Sequence, residues 1–195
     1  MNPKPSRGPG LVLVGYRGTG KSTIGRIVAE RARSPFADAD TEFERAHGRP
    51  IRAVFAEEGE AGFRLREAAP LESLVDLPEL TGGVLATGGG AVLAESNRRA
   101  LRRFGLVVWL TADAETLARR LANSRNPLAD RPALTAAGTL DEVAAVLEAR
   151  LPAYRASADV EVASAGRSVG EVVESVLELW QARANPAGRA GGSRR

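Results

Sequence analysis

Cysteine is absent from the 195 residues. That excludes a disulfide framework and any thiolate metal site, and it suits a reducing, cytoplasmic setting. Long apolar runs are missing as well. No stretch approaches the roughly 18 residues that mark a membrane span, and the opening MNPKPSRGPG lacks the apolar segment of a secretory signal. Lysine is nearly absent: of 27 Lys and Arg residues, only Lys4 and Lys21 are lysines. Lys4 lies in a Pro/Gly-rich leader, so the folded body carries one ammonium and otherwise relies on guanidinium groups.

Basic charge is also scarcer in the body than the pI of 9.9 suggests. Residues 1–10 contribute Lys4 and Arg7, and residues 183–195 contribute Arg183, Arg189, Arg194 and Arg195, with no acids in either segment. Removing those six charges takes the net from +3 to −3. A mildly acidic body argues against nucleic acid as a partner, and the Gly/Pro/Arg-rich ends read as disordered tails. The expected organisation is a leader over 1–9, one domain over 10–182 and a basic tail over 183–195. A chain of this size can bury one sizeable core, and no repeat or second domain is visible.

What is present alternates between strands and helices. GLVLVG (10–15), FADAD (36–40), GVLATGGG (83–90), LVVWL (106–110) and VEVA (160–163) read as five strands. Helical spacing follows in Ile24, Ile27 and Val28, in Leu117 and Leu121 after Asp113, and in Val143, Val146, Leu147 and Leu151. The last helix carries Val169, Val172, Val173, Val176, Leu177 and Trp180. Capping boxes, Thr139 with Glu142 and Ser168 with Glu171, predict two helix starts. This alternation predicts a three-layer α/β fold whose sheet is mostly parallel and binds ligands beyond its strand C-termini. NSRNPLADRPALTAAG (123–138) has no clean period and carries two arginines, which predicts a mobile lid. Trp109 reads as core, and the single His47 as a surface turn residue.

The chemistry starts at Gly15-x-x-x-x-Gly20-Lys21-Ser22, a phosphate-binding loop in its confirming context of strand before and helix after. Backbone N–H groups of such a loop wrap a polyphosphate at a helix N-terminus. Lys21 adds a compact charge for the β- and γ-phosphates, and Ser22 a hydroxyl for Mg2+. The nucleotide contacts then fall to Gly18, Thr19, Gly20, Lys21, Ser22 and Thr23. A guanine-reading Asn-Lys-x-Asp motif is excluded, because no lysine follows Lys21. Asp38 and Asp40, two apart at the end of the second strand, share a face at period two. They could serve a metal and a substrate hydroxyl, or cap the next helix. Arg64 and Glu67 fall on one helical face. Three glycines, Gly88, Gly89 and Gly90, follow the third strand, where backbone can approach a small ligand.

Taken together, GYRGTGKSTIGR, FADADTEFE, EGEAGFRLRE, LATGGGAV, DRPAL and RLPAY occur in the order and approximate spacing of shikimate kinase. The chain resembles that family from about Leu11 to about Leu179. The resemblance implies a P-loop kinase fold with five parallel strands in the order 2-3-1-4-5. It implies ATP-dependent phosphorylation of the 3-hydroxyl of shikimate with Mg2+, on the route to chorismate and the aromatic amino acids. No long exposed apolar stripe suggests an obligate partner, so a cytoplasmic monomer is expected. Carried over by position, Asp40 binds and orients the acceptor hydroxyl and Asp38 sits near the metal. Arg64 and Arg150 clamp the substrate carboxylate, with backbone support from Gly88, Gly89 and Gly90. Arg131 closes from the lid, and Arg125 and Arg167 flank the adenine. The lid reads Arg131-Pro132-Ala133-Leu134 where the family commonly has a second leucine. Nucleoside monophosphate kinases and gluconate kinase share the architecture, whereas a non-catalytic ATP-binding regulator would be expected to lack Asp40 or the arginine pair.

Overall fold

The computed structural model describes residues 8–123 and 140–185. At its centre is β1 (Gly10–Val14), buried along its whole length, as a Leu/Val run with no polar face requires. It is flanked by β3 (Val84–Ala86) and β4 (Gly105–Thr111), with β2 (Phe36–Asp38) and β5 (Val160–Ala163) at the edges. All pairings are parallel and the order is β2-β3-β1-β4-β5, as the family resemblance implied. In register, Leu13 lies opposite Ala86 and Val108. The three inner strands therefore end nearly level, and their carboxyl ends form one edge where loops converge.

Successive β1 residues point to opposite faces, so the two faces have separate cores. Leu11 and Leu13 pack with Val28 of α1 (Lys21–Arg31) and with Val173 and Val176 of α7 (Val169–Ala184). Val12 and Val14 pack with Leu71 of α3 (Ile51–Val75), Leu101 of α4 (Glu95–Phe104) and Tyr154 of α6 (Leu140–Ser157). Trp109 belongs to this second core. It is 5% exposed and stacks on Tyr154 with ring centroids 5.4 Å apart. Two shorter helices, α2 (Ala39–His47) and α5 (Ala114–Ala122), complete the layers. A small aromatic cluster of Phe43 and Phe63 joins α2 to α3. Among the described residues no helix is long and apolar enough to cross a membrane.

Several sequence expectations need correcting. The second strand stops at Asp38, which becomes the N-cap of α2 by accepting from the N–H groups of Asp40 and Thr41. Asp40 therefore lies in a helical first turn, not on a strand face shared with Asp38. His47 closes α2 and is half-buried, its ring stacked on Phe43 at 4.2 Å. The last helix runs to Ala184, into the segment assigned to the tail, and Trp180 Nε1 donates to the Pro9 carbonyl at 2.8 Å. Both halves of the Ser168–Glu171 capping box are formed. The lid segment beyond residue 123, with Arg125 and Arg131, and the Thr139 cap lie outside the described residues.

Candidate active site

The loop between β1 and α1 is shaped by its own chemistry. Gly20 caps α1 at φ 96°, a left-handed conformation that side chains strain to adopt. The Tyr16 carbonyl gathers three donors: the Thr19 N–H at 3.3 Å, the Thr19 hydroxyl at 2.8 Å and Lys21 Nζ at 2.9 Å. Lys21 is the only lysine among the described residues, and it is 7% exposed. A single compact ammonium is thus held under a loop of backbone N–H groups at a helix N-terminus, the arrangement that binds polyphosphate. Ser22 and Thr23 stand exposed on the first turn of α1.

The Ser22 hydroxyl donates to Asp38 Oδ2 at 2.5 Å. The two residues assigned to Mg2+ are therefore brought together from β2 and α1. Their oxygen-only donor set fits a hard cation that keeps most of its water. Asp38 does two jobs with its two oxygens: Oδ1 caps α2 and Oδ2 faces Ser22. Because the Asp40 N–H is one of the capped groups, at 3.0 Å, the Asp40 backbone is fixed in the first turn of α2, two residues from Asp38.

The arginines assigned to the substrate also meet. Along α3, Glu60, Arg64 and Glu67 share one face by their three- and four-residue spacing. Arg64 Nη1 donates to Glu67 Oε2 at 2.5 Å and Arg64 Nη2 to Glu60 Oε1 at 3.0 Å. Arg150 Nη2, from α6, reaches the same Glu60 oxygen at 3.0 Å. The side chains of Arg64 and Arg150 are only 16% and 11% exposed. Burial works against the Arg64 charge, but Glu67 and Glu60 outweigh it, so its pKa stands above the ordinary value. Arg64 Nε is buried with no hydrogen-bond partner among the described residues. An orphaned cationic donor of this kind suits an incoming anion.

The triple-glycine turn connects the two halves of the site. A side chain at Gly90 would overlap the Arg64 guanidinium, and a Cβ at Gly89 would stand 3.1 Å from the Arg17 nitrogen of the phosphate loop. A side chain at Gly90 would force the Arg64 guanidinium to shift, and one at Gly89 would press on the phosphate-loop backbone. Tyr154, one helical turn after Arg150, donates its hydroxyl to the Gly89 carbonyl and stacks on Trp109. The sheet thereby fixes the helix face that presents Arg150. Arg150 also lies over the Tyr16 ring at 5.9 Å, which ties the arginine pair to the phosphate loop.

Arg120 is a residue that sequence reasoning missed. Its guanidinium donates to the Gly18 carbonyl at 3.1 Å and to Ser164 Oγ and O at 3.0 and 2.8 Å. It joins the phosphate loop to the segment after β5, and no motif in the sequence marks it. Arg167, on that same segment, directs its donors to Ala163 O, Glu171 O and Ser175 Oγ.

A parallel 2-3-1-4-5 sheet with this loop at the head of its central strand defines a P-loop kinase fold. Comparison with known proteins narrows it. The family model described as shikimate kinase matches residues 17–181. A shikimate kinase of Symbiobacterium thermophilum is 43% identical over 173 residues, covering 89% of this chain and 97% of its own. One from Pseudomonas entomophila is 45% identical over 171 residues, covering 88% and 95%. The solved shikimate kinase of Acinetobacter baumannii, in complex with shikimate, superposes with a TM-score of 0.81 at 34% identity, covering 91% of this chain and 95% of its own. The chain belongs to the shikimate kinase family.

Proposed function

We propose that the protein transfers the γ-phosphoryl group of ATP to the 3-hydroxyl of shikimate, giving shikimate 3-phosphate and ADP. The observation that carries this reading is the convergence of two nearly buried guanidinium groups, Arg64 and Arg150, on one carboxylate oxygen beside a phosphate-binding loop. A planar guanidinium pair suits a small rigid carboxylic acid, which it can orient through paired hydrogen bonds. The relative crystallised with shikimate bound supports the same substrate.

In this reading the loop from Gly18 to Thr23 holds the triphosphate, with Lys21 as its point charge. Ser22 and Asp38 hold Mg2+, which supplies charge neutralisation on the phosphate oxygens. Arg64, Arg150 and the backbone of Gly88, Gly89 and Gly90 bind the acceptor. Asp40 takes the proton of the attacking hydroxyl as the new oxygen–phosphorus bond forms and the bond to the ADP oxygen breaks. Arg131 approaches the transferring group from the lid segment, while Arg125 and Arg167 border the adenine. The enzyme acts in the cytoplasm as a monomer, with no nucleic-acid or membrane partner. The test is ADP release in a coupled assay: it requires both Mg2+ and shikimate, and turnover with gluconate or a nucleoside monophosphate but not with shikimate refutes it.

A further inference from the structure

Glu60 is not used by the reaction above, yet it occupies a central position in the substrate-binding half. One of its oxygens accepts from both arginines, at 3.0 Å each, which is how a bound carboxylate would engage them. Among the described residues, hydrogen bonds there already pair two cations, Arg64 and Arg150, with two anions, Glu60 and Glu67. A substrate carboxylate makes a third anion in a largely buried cluster, and a surplus buried charge is costly. One of the protein's own carboxylates must give way. Glu67 is 7% exposed and bound at 2.5 Å, whereas the Glu60 side chain is 37% exposed. Glu60 also follows Gly59, where α3 breaks its helical geometry at φ 69° and ψ −174°. It therefore starts a fresh helical segment at the rim, and its side chain has water to move into.

We infer that Glu60 is an internal competitor for the substrate's carboxylate and a specificity-determining residue of the clamp. This rests on the proposed role of Arg64 and Arg150. With Glu60 seated, the two guanidinium groups stay paired and ordered. The substrate carboxylate displaces it, takes both arginines, and adds the buried Arg64 Nε as a further donor. Net charge in the cluster is conserved by the exchange. An anion too weak to engage both arginines does not evict Glu60, so the clamp rejects small stray carboxylates. The apparent substrate affinity is reduced by the fraction of molecules in which Glu60 is seated.

The test uses the intact protein in steady-state kinetics. Glu60→Gln keeps the shape and removes the charge. It lowers the shikimate KM by about fivefold, with kcat and the ATP KM changed by less than about twofold. Competitive inhibition by cyclohexanecarboxylate, which lacks the substrate hydroxyls, strengthens by a similar factor. Glu60→Asp retracts the carboxylate by one methylene, keeps the net charge and gives intermediate values; it decides the matter if Glu60→Gln does not fold. A raised shikimate KM in either variant overturns the inference, because Glu60 then holds the arginines for the substrate. So does an unchanged KM with a lowered Tm, since Glu60 is then structural. Arg64→Ala and Arg150→Ala, run alongside, separate the two layers: if they leave the shikimate KM unchanged, the clamp reading itself fails.

Discussion

Asp40 carries the reaction's proton transfer in this account, while its backbone N–H serves the Asp38 cap. Asp40→Asn keeps that backbone contact and removes the base. Turnover should fall about 10²- to 10⁴-fold while ATP affinity, measured calorimetrically, stays unchanged; lost ATP affinity assigns Asp40 to the wrong pocket. Arg64→Ala should raise the shikimate KM by the equivalent of about 2–4 kcal/mol, because it leaves two carboxylates short of a partner. Gly90→Ala acts on the same group from behind: its methyl overlaps the guanidinium, so the shikimate KM rises and the ATP KM does not. These residues were legible to different degrees. Lys21 and Ser22 lie in a contiguous motif whose spacing is dictated by phosphate geometry. Arg64 shows only a helical face shared with Glu67, and Arg150 carries no motif of its own, until family order links them. The shared Glu60 contact spans ninety residues, and the Arg120 contact to Gly18 spans more than a hundred. No local pattern encodes either.

Among the elements, the strands were legible because burial on both faces leaves an unbroken apolar run, as in β1 and β4. β2 was read too long, since Asp38 looks alike as a strand residue and as a cap. α4 went unread because its sequence, ESNRRALRRF, is mostly polar and buries little beyond Ala100, Leu101 and Phe104. Caps offer clean tests at this scale. Ser168→Ala removes the side-chain half of the α7 box, the acceptor for the Glu171 N–H, leaves the backbone half in place, and should cost about 1 kcal/mol in thermal or denaturant unfolding, with kcat unaltered. Asp113 caps α5, and the N–H of Thr116, followed by its hydroxyl, holds the carboxyl below its ordinary value of 3.8. A depressed folded pKa gives stability that is fully present above the unfolded value and lost as pH falls through the folded one. Asp113→Asn should therefore flatten the acid limb of the stability curve below about pH 4 and leave its neutral-pH shape unchanged.

In the whole molecule, the sheet brings two chemistries to one edge. The β1 loop contributes a single lysine at a helix N-terminus, on the proposed reading for a flexible, highly charged polyphosphate. Helices α3 and α6 contribute two converging planar guanidinium groups, on the proposed reading for a small rigid acid, and the glycine turn after β3 packs the two halves together. The scarcity of lysine, the first feature of the sequence, thus coincides with a division between point charge for phosphate and forked donors for carboxylate. The alternation of elements made the α/β class legible from the chain itself, whereas strand order came from family resemblance, because crossovers leave no local trace. The most direct test of the account is shikimate-dependent ADP formation by the full chain with ATP and Mg2+. The account predicts steady turnover with shikimate and only a trace without it. ADP formation at the same rate with and without shikimate would contradict it.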